Sequence, residues 1–187
     1  LLPSIMVCRV SSLIKLVLRV GARLAMNDKI DWIEIYTDGA CRGNPGPGGW
    51  GAVVITSEGE QELMGSAPDT TNNRMELYAV IQGLNALAPP CRVRIYTDSE
   101  YVCKGMTSWI GAWKRRNWTT VSGRPVKNKD LWLALDDAQS PHTVEWRWVR
   151  GHAGNAGNER ADGLANAAID QSASTEQSPE GGCVDRL

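Results

Sequence analysis

The tetrapeptide Ile-Tyr-Thr-Asp occurs twice, as Ile35-Tyr36-Thr37-Asp38 and as Ile95-Tyr96-Thr97-Asp98, each time closing a short apolar run and ending on an acid. If the two runs are neighbouring parallel strands, a spacing of roughly 4.8 Å brings both aspartates to one sheet edge, at the carboxyl ends where open α/β sheets hold their ligands. Two carboxylates that close repel each other, so one must take up a proton or both must face a cation, and a divalent metal resolves the conflict. Taken singly, each acid has an ordinary use. Asp38 can open an Asp-Gly turn, and Asp98 can cap a helix that begins at Ser99. The repeat is what favours the paired reading.

At 187 residues the chain suits one domain with a substantial core. Hydrophobic and charged contents of 42% and 22% are those of a soluble globular protein, and no apolar run approaches the ~20 residues that span a bilayer, which excludes a membrane protein. Cys8, Cys41, Cys91, Cys103 and Cys183 are scattered, with no CxxC pair and only two histidines to complete a zinc site, so reduced thiols in the cytoplasm are expected. A net charge of −1 conceals a local excess: residues 101–129 hold seven Lys or Arg and no acid.

Both ends read differently from the middle. Residues 1–25 carry Arg9, Lys15, Arg19 and Arg23 among Leu, Ile and Val without one acid. They read as an extension outside the domain, ahead of a functional start at Met26, with an amphipathic targeting segment as the other option. The chain from residue 170 to 187 is rich in Ser, Glu, Gln and Gly and poor in apolar residues, the composition of a disordered tail. The domain is therefore placed at residues 26–169.

Within it, patterning predicts strands at 33–36, 50–55, 61–65, 92–97 and 143–149. A loop is expected at 38–49, which holds five glycines and two prolines. A helix capped by Asn72 or Asn73 carries Leu77, Val80, Ile81, Leu84 and Leu87 at helical spacing and stops at Pro89 and Pro90. Further helical patterns lie at 99–104, 107–115, 128–139 and 158–169. Three strands in meander followed by alternating helix and strand predict an α/β domain, a five-stranded mixed sheet flanked by helices.

The segments TDGACRGNPGPGGWGA, TTNNRMELYAV, YTDSEYV, WKRRNW, PVKNKDLW and VRGHAGNAGNERAD follow in that order. Over about residues 30–168 the chain resembles the bacterial type 1 ribonucleases H. The resemblance implies a single-domain ribonuclease H-like fold, an RNA·DNA hybrid as substrate, hydrolysis of its RNA strand to 5′-phosphate and 3′-hydroxyl ends, and a monomer. It implies a four-carboxylate metal site of Asp38, Glu76, Asp98 and Asp162, and His152 as a proton shuttle on a loop of small residues. Oxygen ligands without thiolate suit Mg2+, with Mn2+ able to substitute. Two ions roughly 4 Å apart serve the attacking and leaving oxygens of an in-line displacement. By itself Glu76 would read as a favourable acid near a helix start, and Asp162 as part of a solvated face.

The resemblance further places Cys41, Asn44, Asn72 and Asn73 along the groove for the RNA strand, with the glycines of residues 43–49 letting backbone approach it. Trp109, Trp113, Lys114, Arg115, Arg116 and Trp118 resemble a basic protrusion that grips the DNA strand, where cations meet phosphates and indoles pack on sugars or bases. Thr71 and Asn128 resemble parts of a DNA phosphate pocket. Two positions depart from the pattern: Glu100, among the residues expected to meet substrate, stands where many bacterial relatives carry glutamine, and Asp69 where an arginine often completes the pocket. The alternatives are a hybrid-binding module without cleavage, which four intact acids oppose, and another nuclease of the same fold, which the GNPGPGG, NNRMEL and GHAGN segments oppose.

Overall fold

The two copies of the tetrapeptide lie side by side and in register, Ile35 opposite Ile95, Tyr36 opposite Tyr96 and Thr37 opposite Thr97, in a parallel pair. This computed structural model describes residues 32–176. Strands β1 (Ile33–Cys41), β2 (Gly46–Thr56) and β3 (Gly59–Thr70) form an antiparallel meander. Strands β4 (Arg92–Thr97) and β5 (Thr143–Trp148) add in parallel on the other side of β1, giving the order β3-β2-β1-β4-β5. The expected five-stranded mixed sheet is present.

Helix α1 (Asn72–Asn85), α4 (Lys129–Gln139) and a continuous helical run cover one face. That run comprises α2 (Glu100–Lys104), a π-helical turn (Gly105–Trp109) and α3 (Ile110–Arg115). Leu77, Val80 and Leu84 of α1 meet Ile35, Val93 and Ile95 of the sheet, and Val102, Trp132 and Leu135 close the cluster, all fully or almost fully buried. Each such side chain contributes about 1.5–3 kcal/mol on leaving water.

The other face is covered by α5 (Ala156–Glu176), which lies on β1, β2 and β3. Small residues set how close it comes. A Cβ on Gly49 or Gly51 of β2 would fall on the Ala165 or Ala161 carbonyl oxygen of α5, and one on Gly157 of α5 would enter the Tyr36 ring. Arg160 ties the helix to β3 through Glu60 and Glu62 at 2.8 and 2.7 Å, and Arg42 pairs with Asp170 further along.

Several boundaries differ from expectation. Residues 38–49 are mostly sheet rather than loop: β1 runs on to Cys41 and β2 begins at Gly46, leaving residues 42–45 as the turn, where Gly43 takes a φ of 93°. Gly49 and Gly51 of β2 thus serve helix-on-sheet packing, and Gly48 is closed off by Thr70 and Met75 rather than open to a ligand. Strand β3 extends through Pro68, which an edge strand tolerates. Thr71, not Asn72 or Asn73, occupies the N-cap of α1, and Ser99, whose Oγ accepts from the Val102 N–H, caps α2. Helix α5 passes the expected tail boundary at residue 170 and runs to Glu176. The extension at residues 1–25, Met26 as start, and tail residues 177–187 lie outside the described residues.

Because the α5 backbone fills the space beside β2, Gly49→Ala is expected to lower the melting temperature rather than raise it as Gly-to-Ala changes in strands often do. Overpacking of this kind costs about 1–3 kcal/mol, or about 2–4 °C for each kcal/mol in a domain of this size. Thermal unfolding followed by circular dichroism measures it, and an unchanged melting temperature would mean α5 is not seated against β2.

Candidate active site

The β1–β4 ladder ends at Thr37 and Thr97, and the next residues are the two aspartates. Beyond that point β1 continues against β2 alone, pairing Asp38 with Gly51 and Cys41 with Gly48, so Asp38 sits where β1 and β4 part rather than at the end of a strand. Gly39 lies against the backbone of Met75 and Glu76, which brings the first turns of α1 onto this point. The result is a cluster of Asp38, Glu76 and Asp98, with one carboxylate oxygen of each within 4.8 Å of the others. Asp38 is 8% exposed and Glu76 5%, while Asp98 is half-buried.

Burial and mutual repulsion act together here. Burial first, then the Asp98 charge, pushes the Asp38 carboxyl up to about 7, against a bond from the Gly39 N–H at 2.7 Å that favours the anion. Glu76 is driven well above the usual carboxylate range by burial and by the charges of Asp38 and Asp98. Its Oε1 receives the Asn72 amide at 3.4 Å, while Oε2 is buried without a partner. Asp98 is raised by burial and by Asp162, and lowered by His152. Buried oxygens that repel one another, one of them unpaired, fit a divalent cation held by oxygen ligands.

Asp162 stands apart from this trio. It is half-buried on α5, its Oδ1 accepts from Asn166 at 2.9 Å, and it reaches the cluster through its charge, which raises both Asp38 and Asp98. His152 is exposed on the loop between β5 and α5, with φ 51°, in the left-handed region.

Of the expected groove residues, Asn72 alone is bonded to Glu76, and the others lie around the start of α1 and the β1–β2 turn. Asn44 Oδ1 accepts the Asn72 N–H at 3.4 Å across the β1–β2 turn, Asn73 is exposed, and the Cys41 thiol, raised by burial and then by Asp69, lies 3.5 Å from the carbonyls of Gly46 and Thr70. Near Thr71, Arg74 binds Asp130 at 2.7 Å and reaches Asn128 Oδ1 at 3.4 Å, while Asn128 Nδ2 donates to the Tyr101 hydroxyl at 3.2 Å. Glu100 is exposed and ion-paired with Lys104 one turn on.

The cationic stretch is more of a folded unit than its sequence suggests. Trp118 is buried, Trp113 is half-buried, and with Tyr101, Trp109 and Trp132 they form one aromatic cluster with ring centroids 5.2–6.4 Å apart. Trp109, at 36% exposed, keeps an open face over a shallow cleft of about 280 Å³ that Arg116 and Val121 also line. Lys114 is paired with Asp136 at 2.6 Å, whereas Arg115 and Arg116 are exposed and join no ion pair among the described residues.

Three residues with a place at this site have no role assigned from the sequence, although Gly151 and Asn158 lie within the VRGHAGNAGNERAD segment. Asn158, 2% exposed in the first turn of α5, faces Asp98 closely enough to lower its pKa, though the geometry stops short of a formed hydrogen bond and leaves Nδ2 without a partner. Gly151 passes so close over Asp98 that a Cβ would meet Oδ2. The Trp148 indole N–H donates to the Asp98 carbonyl at 3.0 Å. Each depends on a contact with a residue far away in sequence.

The RNase H family profile matches residues 31–170. A ribonuclease H from Herminiimonas arsenicoxydans is 62% identical over 138 residues, 74% of this chain and 94% of that protein. One from Pseudomonas fluorescens is 54% identical over 153 residues, 82% of this chain and 100% of that protein. Among solved structures, LC9-RNase H1, a type 1 RNase H with the type 2 active-site motif, superposes with a TM-score of 0.68 at 38% identity, covering 86% of this chain and 80% of that one. LC11-RNase H1 in complex with an RNA/DNA hybrid superposes with a TM-score of 0.58 at 27% identity, covering 75% of this chain and 99% of that one.

A carboxyl whose pKa is higher folded than unfolded holds its proton more tightly in the folded state. The Asp38 contribution to stability is therefore present below the ordinary value of 3.8 and lost as pH rises through about 7. In EDTA, Asp38→Asn is expected to raise the melting temperature over wild type at about pH 8, with the gain vanishing near about pH 4, where Asp38 is protonated anyway. Melts across this range check it, and equal melting temperatures at the higher pH would mean the three acids do not repel as described.

Proposed function

The chain belongs to the RNase H family, and from that premise we propose that it hydrolyses the RNA strand of RNA·DNA hybrids at the Asp38, Glu76 and Asp98 cluster, leaving 5′-phosphate and 3′-hydroxyl ends. The observation that carries the assignment is the convergence of three carboxylates, two of them buried, where β1 and β4 part. Divalent cations bound there, two of them and Mg2+ by the all-oxygen donor set with Mn2+ as substitute, would supply Lewis-acid activation of the attacking water and stabilise the leaving 3′ oxygen.

The side chains divide the remaining work. Asp38, Glu76 and Asp98 hold the cations, and Asp162 adds a fourth carboxylate from the side. His152, exposed and within electrostatic reach of Asp98, moves a proton at the mouth of the site. Asn44, Asn72, Asn73 and Cys41 line the approach of the RNA strand, where short polar groups can meet 2′-hydroxyls. Asn72 bonds Glu76 directly, so contact with substrate bears on the carboxylate itself. Thr71 and Asn128 receive a DNA phosphate, while Arg115, Arg116 and the open face of Trp109 grip the same strand further out.

The intact acid cluster opposes a binding module without cleavage. No described helix is long and apolar enough to cross a membrane. The reading carries a cytoplasmic monomer with it, and Cys41, Cys91 and Cys103 as free thiols support a reducing compartment. The test is incubation of the purified chain with labelled RNA·DNA, RNA·RNA and DNA·DNA duplexes, with and without Mg2+. Cleavage confined to the RNA of the hybrid and abolished by EDTA or by Asp98→Asn is expected; cleavage in EDTA, or equal cutting of double-stranded RNA, overturns it.

Because Lys114 is already engaged by Asp136, neutralising Lys114, Arg115 and Arg116 together should flatten the slope of log affinity against log salt by up to about 2 units rather than 3. The Michaelis constant should rise far more than the turnover number falls, since these residues grip the substrate before and during the chemical step alike. Glu100→Gln should tighten hybrid binding at low Mg2+ by about 1.5- to fivefold, the span of an exposed charge pair, because it removes a negative charge and frees Lys104. Filter-binding titrations at several salt and Mg2+ concentrations measure both effects, and an unchanged slope would make the cationic stretch ordinary solvated surface.

A further inference from the structure

Trp148 is the last residue of β5 and is 49% exposed, a large indole left half in water beside the acid cluster. Its Nε1–H donates to the backbone carbonyl of Asp98 at 3.0 Å. That carbonyl stands outside the helical ladder that follows: the first bond of α2 runs from the Cys103 N–H to the Ser99 carbonyl, and the Ser99 N–H turns back to Thr97 Oγ1 at 3.1 Å. The peptide between Asp98 and Ser99 is thus anchored at its N–H by Thr97 and at its carbonyl by Trp148.

The tilt of this peptide plane is the ψ angle of Asp98, and with it goes the direction in which the carboxylate leaves the chain. The chain after β5 makes two more contacts here, one on Thr97 just before the acid and one on Asp98 itself. The Val149 N–H donates to the Thr97 carbonyl at 3.0 Å, extending the β4–β5 ladder by one bond, and Gly151 lies directly on the Asp98 carboxylate. Asp98 is the least buried of the three clustered acids and is repelled by its neighbours, so it has both the room and the electrostatic reason to swing outward.

We propose that Trp148 is a positioning residue that fixes the Asp98–Ser99 peptide through its indole N–H and so holds the Asp98 carboxylate toward Asp38 and Glu76 against their repulsion. The proposal rests on the reading of these acids as the cation-binding centre of the nuclease. It assigns the work to the N–H rather than to the aromatic face.

Trp148→Phe keeps a ring and removes the N–H; Trp148→Ala removes both. Mg2+ and Mn2+ binding to the protein without substrate, followed by isothermal titration calorimetry, is expected to weaken about three- to tenfold in both variants, the worth of one neutral hydrogen bond. Turnover on hybrid should fall by a similar factor and recover in part at high Mg2+, with the Michaelis constant and melting temperature little changed. A Phe variant with wild-type cation affinity and turnover overturns the proposal. If Ala alone then raises the Michaelis constant, the indole is a platform for nucleic acid instead. Weakened cation binding in the Phe variant together with a wild-type protein that cuts no hybrid would uphold the positioning role and sink the nuclease reading.

Discussion

Repulsion between three carboxylates is the constraint around which the rest of this structure is arranged. Nothing in the chemistry of Asp38, Glu76 and Asp98 draws them together; the in-register ladder of β1 and β4 places two of them, and the close seating of α1 over Gly39 delivers the third. The hydrophobic cluster formed by Ile35, Ile95, Leu77 and Val80 supplies the opposing force, since none of these side chains can stay buried unless α1 lies where it does. Stability made in the core is spent at the sheet edge.

The repeated Tyr-Thr of the two strands serves that arrangement as well. Tyr36 and Tyr96 stack with centroids 4.5 Å apart, and both hydroxyls donate to Glu34 at 3.1 Å, so one carboxylate locks the register that aligns the aspartates. Facing inward, Thr37 and Thr97 are fully buried, and Thr97 also holds the Ser99 N–H. A slip of the ladder by one residue would break the stack and turn the core side chains to the wrong face, so the spacing of the acids is guarded by contacts that involve neither acid.

The repeat made the parallel pair and its two acids legible in the sequence, because register is local information written twice. Helix α1 was legible through the spacing of Leu77, Val80, Ile81 and Leu84. The glycines of residues 38–49 misled, because glycine marks a turn and a close backbone approach alike, and only the elements packed on them, α1 at Gly39 and α5 at Gly49, distinguish the two. Helix α5 was read short for a related reason: its Ala and Ser residues past Asp170 look like tail, while its seat on β2 and the Arg42–Asp170 pair favour helix there. Trp113 and Trp118 looked like a nucleic-acid surface because cations flank them, yet the indoles chiefly pack on one another. Asn158 and Gly151 were visible only as members of a longer segment and Trp148 gave no signal, since each matters through one contact across the fold.

The bare backbone of β2 under α5 has a bearing on chemistry as well as on packing. Asn158 and Asp162 ride on that helix, so the height of α5 above the sheet sets how far each stands from Asp98 and Asp38. A methyl group inserted at Gly49 or Gly51 would lift the whole helix, and misplacement by about 1 Å is enough to slow a reaction about 100-fold. Two residues that touch neither substrate nor cation would then govern rate through elevation alone, and a search for activity determinants confined to the cleft would pass over both.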